Sequence, residues 1–387
     1  RLFRKRPSGT PDTFHLFAER NLDLGRSIGV LLPSAFHANE GATDLRRRYF
    51  QETRIASCYS FENRRKLFDI DSRFKFATIV ARKPGPTESL RCAFYLESVA
   101  DLDEPGRVME YDAAFLTKTA ATPLELRGAT DMAVARALFS GTATFGAWCG
   151  DLGIRFGCDL HMTADADCFV YGLSERYILH EGKTFHQYTD AWDTAPRYSI
   201  SETALRGKPR VLEAAQHARL AFRDIARSTD ERTTIAAIVP PGTVCGHTAT
   251  VEKQPSDRPL MHAQLLCAVM NSFCFDWLVR QKAAVHLSLY ILDSMPIPSL
   301  SPTDRTFLAR ATAQLSGAPA AHWDVRAAAD AVVARAYGLN RDQYRHILAG
   351  FSHRSFPDAP TLCLAAFDLH QGADSPCRGK SETLSPE

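Results

Sequence analysis

The run Ser27-Ile28-Gly29-Val30-Leu31-Leu32-Pro33 constrains this chain more than any other. It is short, apolar and bounded by turn residues, the pattern of a buried strand in a parallel sheet. Gly41 to Glu52 then gives small and polar residues followed by Leu45, Arg46 to Arg48, Tyr49 and Phe50. That order predicts a helix with one apolar and one basic face. Two further strand-length runs, Ile55 to Phe61 and Phe74 to Ala81, are β-branched or aromatic. Strand, helix, strand, turn, strand is an α/β arrangement, and the short spacing of the last pair predicts an antiparallel return at the edge of a mixed sheet.

Residues 83–128 mix Pro, Gly and charge around one strand, Arg91 to Leu96, and Ala129 to Ser140 reads as a connecting helix. From about Gly146 to Pro298, short strands and turns surround one long apolar helix, Met261 to Gln281, which together make an α+β module. Leu265, Leu266, Val269, Met270, Phe273 and Trp277 recur at helical spacing, so that helix is core packing. After Pro296-Ile297-Pro298 the chain turns helical over Thr303 to Ser316, Trp323 to Tyr337 and Arg341 to Leu348. Gly338 closes the second of these helices and Asn340 caps the third. The segments are thus 1–85, a connector 86–145, 146–300, a helical tail 301–370, and a polar, disordered end 371–387. A length of 387 residues suits this division into several domains.

Composition narrows the function classes. Apolar residues are 45% and charged residues 23%, ordinary for a folded globular chain. The net charge is only +2, yet residues 1–85 hold 17 Lys/Arg against 9 Asp/Glu, including Arg46-Arg47-Arg48 and Arg64-Arg65-Lys66. Such clustering suits a polyanion partner, although basic helices also serve solubility. Ten cysteines without a Cys-x-x-Cys pair read as reduced core thiols. With no signal peptide and no membrane-length apolar run, the expectation is a cytoplasmic chain with no membrane partner. Residue 1 is Arg, which reads as a fragment or a processed chain.

Three catalytic motifs fail on spacing. His180-Glu181-Gly182-Lys183-Thr184-Phe185-His186 places its second histidine two residues too late for a zinc-protease helix. Gly182-Lys183-Thr184 would need an upstream Gly where Tyr177 stands to be a phosphate loop. Cys158, His161 and Cys168 lack tight ligand spacing, so no metal is expected.

Other segments carry a family resemblance. Gly29-Val30-Leu31-Leu32-Pro33-Ser34-Ala35-Phe36, Gly41-Ala42-Thr43-Asp44-Leu45-Arg46-Arg47, and Leu67-Phe68-Asp69 before the Phe74 strand resemble the later motifs of N6-adenine DNA methyltransferases of the type II, type IIG-like, restriction-modification family. Leu179 to Lys183, Phe222 to Arg227, and Leu266 to Arg280 followed by His286 to Pro298 resemble the TaqI-like specificity domain. Tyr337-Gly338-Leu339 with Tyr344 and Ile347-Leu348 is similar to the helical tail of fused methylase-restriction polypeptides.

The resemblance implies a fold class: the C-terminal part of a Rossmann-like methyltransferase sheet, then an α+β target-recognition domain and a small helical tail. It implies double-stranded DNA as partner and S-adenosylmethionine as cofactor of the full-length parent. The family's Gly-rich first loop and Asn-Pro-Pro-Tyr motif do not occur here, so no catalytic residue is expected in this segment. The chain is expected to need a missing N-terminal methyltransferase half as a partner. By the resemblance Phe68 stacks on a flipped adenine. Lys183, His186, Arg223, Arg227 and Arg232 are the DNA-binding candidates, each otherwise a solvated loop charge. The alternative is a non-catalytic DNA-recognition module of a restriction-modification system.

Overall fold

The computed structural model describes residues 12–225, 230–282 and 286–371. The expectation for 371–387 therefore lies almost wholly outside the described residues. Five strands, β1 (Ser27–Pro33), β2 (Arg54–Glu62), β3 (Lys75–Arg82), β4 (Ser89–Leu96) and β5 (Met109–Asp112), form one mixed sheet in the order β1-β3-β2-β4-β5. β3 runs antiparallel to both β1 and β2, so those two are parallel to each other, with helix Thr43–Glu52 in the crossover. The antiparallel return is thus present, and it inserts between the two parallel strands. One face buries Ile28, Leu32, Ile55, Ile79, Ala81 and Cys92 against helix Thr13–Leu24 and the later elements. The full burial expected of β1 is not found: its burial alternates and Leu31 is 50% exposed. Among the described residues β1 pairs only with β3 and is covered on one face.

The basic face expected for Thr43–Glu52 is also corrected. Arg46 is buried and donates to the carbonyls of Phe36 (3.0 Å) and Ala121 (3.2 Å) and to the hydroxyls of Thr43 and Thr122. Arg48 pairs with Glu19, Asp23 and Glu52, and Arg47 with Asp44. The neighbouring run is spent likewise, Arg64 on Glu62 and Arg65 on Glu97. Both basic runs are therefore largely engaged within the first region.

The middle region contains two four-stranded sheets. In one, β11 (Ala236–Val239), β10 (Arg219–Arg223), β13 (Ala249–Glu252) and β6 (Phe156–Gly157) are neighbours; in the other, β12 (Thr243–Cys245), β8 (Tyr177–His180), β9 (Tyr198–Ile200) and β7 (Val170–Tyr171). Arg219 staples them, being fully buried on Asp159 at 2.9 Å while donating to the carbonyls of Glu252 and Thr243. A buried cation needs such pairing to offset its lost hydration.

The long helix Met261 to Gln281 is in fact two, Leu260–Asn271 and Phe273–Arg280, broken at Ser272. Ser272 has extended backbone (ψ 151°), and its hydroxyl accepts from the Phe275 N–H at 3.2 Å. An N-cap serine thus overrides the apolar periodicity that ran through it. Helices Pro302–Leu315, Trp323–Ala336 and Arg341–Ala349 match expectation, with Gly338 at φ 74° and Asn340 capping through Gln343. Helix Thr13–Leu24 has no counterpart in the sequence reading, and Ala359–Gln371 adds a fourth helix to the expected helical tail. The nine described cysteines are unpaired and seven are buried. No helix among the described residues is long and apolar enough to cross a membrane.

Candidate nucleic-acid interface

At the carboxyl end of β2, Asn63 is completely buried and builds a loop around its amide. Its Oδ1 accepts from the Phe68 N–H at 3.0 Å, while its Nδ2 donates to the carbonyls of Phe68 (3.0 Å) and Ile70 (3.1 Å). Its own N–H donates to the Phe74 carbonyl, closing the loop base. The brace turns apolar side chains outward: Leu67, Phe68, Ile70 and Phe74 are all exposed, Phe68 to 43%. Phe68 stands edge-on to Phe76 at 4.9 Å, and Phe76 stacks on Phe61 at 5.5 Å. On the loop's exposed far side, Arg73 hydrogen-bonded to Asp71 holds that carboxyl down to about 2. The loop shares its edge of the sheet with the end of β1, where the Ser34 N–H donates to the Lys75 carbonyl. Carboxyl ends of parallel strands are where open α/β sheets place ligands.

Contacts run from this edge to the middle region. Glu125 accepts from His37 at 3.0 Å and Lys75 at 3.5 Å. Burial would push Glu125 up, but those two cations hold it near 2. Burial would likewise lower His37, yet Cys58 and Glu125 beside it raise it to about 9. The Glu125 N–H donates to the Gln281 carbonyl, and Tyr290 bonds Thr43 at 2.6 Å. Lys282, which burial lowers to about 7, donates to the Thr119 carbonyl and the Ser294 hydroxyl. Further along, His286 pairs with Asp224 at 2.8 Å, one residue from Arg223.

The sequence-chosen residues separate into three groups. Lys183 is exposed and 3.6 Å from Glu181, which also accepts Arg197. His186 and Arg223 sit beside each other and are partly buried. The guanidinium of Arg223 donates through Nε and Nη2 to the Phe185 carbonyl, and burial lowers it to about 10. His186 stacks on Trp192 with ring centroids 4.0 Å apart; burial, then Arg223, Arg326 and Arg232, depress it to about 3, so it is neutral at physiological pH. Arg227 lies outside the described residues.

Arg232 is a correction. Expected as a DNA-binding candidate or else a solvated loop charge, it is buried, ion-paired to Asp276 at 2.7 Å and held between Phe273 and Phe351. A guanidinium committed in this way packs the middle region onto the helical tail and offers nothing to a phosphate.

Asn63, Trp192 and Arg326 were missed in the sequence. Trp192, 43% exposed, stands alone in the polar stretch Asp190 to Thr194, a signal that could have been used. Asn63 and the buried Arg326 carry no local signal, since their partners Ile70 and Gln187 are set by tertiary contact. The dismissed histidine motif is dispersed: His180 bonds Thr184 at 2.8 Å while His186 faces Trp192. No group of three or more metal-ligating side chains occurs among the described residues.

The donor expected of the parent does not fit what is here. The end of β1 enters Pro33-Ser34-Ala35, and Glu62 at the end of β2 is taken by Arg64 and Lys75. Neither end is a Gly-rich loop, so no methyl-transfer step is derived for these residues.

No protein-family profile matches the chain, and no curated protein sequence matches it. Solved structures similar to it include the Type IIL restriction-modification enzyme MmeI in complex with DNA, at 10% identity and TM-score 0.49, covering 95% of this chain and 50% of that one. Another is the type IIG restriction endonuclease BpuSI, at 10% identity and TM-score 0.32, covering 93% and 49%. A third is a chain from a type I R-M system, at 13% identity and TM-score 0.24, covering 29% and 31%. The chain spans about half the length of the MmeI and BpuSI chains, whereas the match to the type I chain covers about a third of either chain.

Proposed function

We propose that this chain is the C-terminal part of an N6-adenine DNA methyltransferase of the restriction-modification type. In this reading the first sheet supplies one edge of the base pocket and the middle region reads the DNA site. The observation that carries it is the braced loop after β2. An exposed phenyl ring, fixed by a buried asparagine at the carboxyl edge of two parallel strands, is a ready stacking surface for an extruded base. It stands where the sequence resemblance requires an aromatic.

Lys183 contacts phosphate and positions the protein. Trp192 with the neutral His186 gives a flat, uncharged surface for a base or sugar, and Arg223 shapes the turn beneath them. S-adenosylmethionine and the residues that hold the adenine amino group belong to the rest of the methyltransferase sheet, which in the family lies N-terminal to these motifs.

The test is a fluorescence-anisotropy titration of duplex DNA at two salt concentrations, with S-adenosylmethionine calorimetry alongside. Binding that weakens steeply with salt and is not accompanied by cofactor binding is the expected result. A folded sample that binds no DNA at low salt contradicts the reading. The second reading is a stand-alone specificity module. It predicts the same DNA binding without loss when Phe68 is replaced.

A further inference from the structure

Two of the buried thiols are neighbours across strands. Register pairs Cys58 of β2 directly with Cys92 of β4, and both lie in the core, 3% and 0% exposed. The two strands are parallel. Their facing Cα atoms stand about 4.8 Å apart, inside the range of about 4.4 to 6.8 Å that a disulfide spans. Just beyond the pair the register shifts between Tyr59 and Phe61, and Tyr95 on β4 takes a left-handed backbone, φ 57°. Bulges of this kind gather beside functional sites.

A polar string ends on this pair. Glu125 bonds His37 Nε2 at 3.0 Å, and the other ring nitrogen, Nδ1, is buried without an oxygen or nitrogen partner. Beside that ring lies the Cys58 sulfur. Cys92 donating to this sulfur, together with the His37 cation, holds the Cys58 thiol below the ordinary range, whereas burial pushes Cys92 up. Burial also pushes up Cys149, Cys245, Cys267, Cys274 and Cys363, as in inert core thiols. A carboxylate, an imidazole and a thiol in line are the arrangement that activates a sulfur nucleophile. Cys58 is nevertheless closed to any bulky substrate, which leaves a small oxidant as its reaction partner.

We propose that Cys58 is an oxidation site for peroxides and that Cys92 resolves it, closing a disulfide between β2 and β4. The Cys58 thiolate attacks one peroxide oxygen, so that an S–O bond forms as the O–O bond breaks. The departing hydroxide takes the His37 proton and leaves as water. Cys92 then attacks the Cys58 sulfur, the S–S bond forms, the S–O bond breaks, and the second hydroxide leaves as water with the Cys92 thiol proton. In sum two thiols lose two electrons and two protons, and one peroxide becomes two waters. Glu125 acts through His37 as a positioning residue. The inference is independent of DNA recognition elsewhere in the molecule.

The experiment treats the reduced whole chain with hydrogen peroxide and, separately, with oxidised glutathione. The protein is then unfolded, its remaining thiols are alkylated, and the products are mapped by mass spectrometry. Expected as the first product is a peptide linking Cys58 to Cys92, with two of the ten thiols lost and both recovered with dithiothreitol. Oxidised glutathione, too large to enter the core, should form it at least about tenfold more slowly. In Cys92→Ser, peroxide should stop at a Cys58 sulfenic acid that dimedone captures. In His37→Gln the bridge should form about tenfold more slowly while Cys158 oxidises at the parental rate. A merely structural histidine would instead loosen the fold and speed the oxidation of every buried thiol. The proposal is overturned if Cys158 and Cys168, the half-buried thiols, oxidise while Cys58 and Cys92 stay free. It is equally overturned if all thiols react at one rate, or if the two oxidants act alike.

Discussion

The loop after β2 and the charge knot around Arg232 are inversions of the usual partition between inside and outside. In the loop, Leu67, Phe68, Ile70 and Phe74 face water. In the knot, Arg232, Asp276, Arg326 and Asp330 are buried. Each is maintained by a polar side chain that satisfies the backbone around it. Asn63 does this for the loop, and Asp276 for the knot, where its carboxylate accepts from Arg232, Arg280 and the Thr233 N–H. The difference lies in what the inversion is for. Buried charges answered from within join two parts of the fold, whereas apolar groups turned outward on a fixed frame are left open to contact from outside.

The largest effect should come from breaking the knot. Asp276→Ala leaves Arg232 buried without its carboxylate and should cost about 3 to 5 kcal/mol in chemical denaturation. Asn63→Ala should cost less, about 2 kcal/mol, because the lost bonds belong to a surface loop where water partly replaces them. Its clearer signature is rapid amide exchange over 66–74. Phe68→Ala sharpens the contrast. Stability should hold within about 0.5 kcal/mol, while affinity for a duplex with an unpaired adenine at the target falls by about 1 to 3 kcal/mol. Equal loss for fully paired DNA would make Phe68 a general contact.

A pH prediction concerns the rim of the knot. His186 has its folded pKa depressed to about 3, below the unfolded value, so the unfolded chain binds the extra proton in between. Its contribution is fully present above about pH 6.5 and is lost as pH falls toward 3, about 1 kcal/mol of it by pH 5.5. Thermal melts of His186→Gln should lack that part of the acid-side decline. The smallest effect is that of Lys183→Ala, which should lower the salt slope of DNA binding by about 1 and leave stability unchanged.

Much of the architecture was legible because it is local. The β-branched and aromatic runs of β2 and β3, the Gly338 and Asn340 punctuation and the tail helices all announce themselves within a few residues. What escaped was set at long range. Arg46 reads as a surface charge until carbonyls from 36 and 121 surround it. The break at Ser272 is hidden inside an apolar run, because the residues on both sides of it are buried for separate reasons. Among the candidate interface residues, Phe68 and Lys183 are exposed, whereas the burial of Arg232 had no local sign, its partner Asp276 lying forty-four residues on. Trp192 was visible in principle, an isolated aromatic in a polar turn.

The most direct test of the account is amide hydrogen exchange on the whole chain with and without duplex DNA. The account predicts slowed exchange in two separated stretches, 66–74 around Phe68 and 183–192 around His186 and Trp192, with the Arg232 knot unchanged because it is already protected. Slowed exchange confined to other surfaces, or none in either stretch under conditions where DNA is bound, would contradict it.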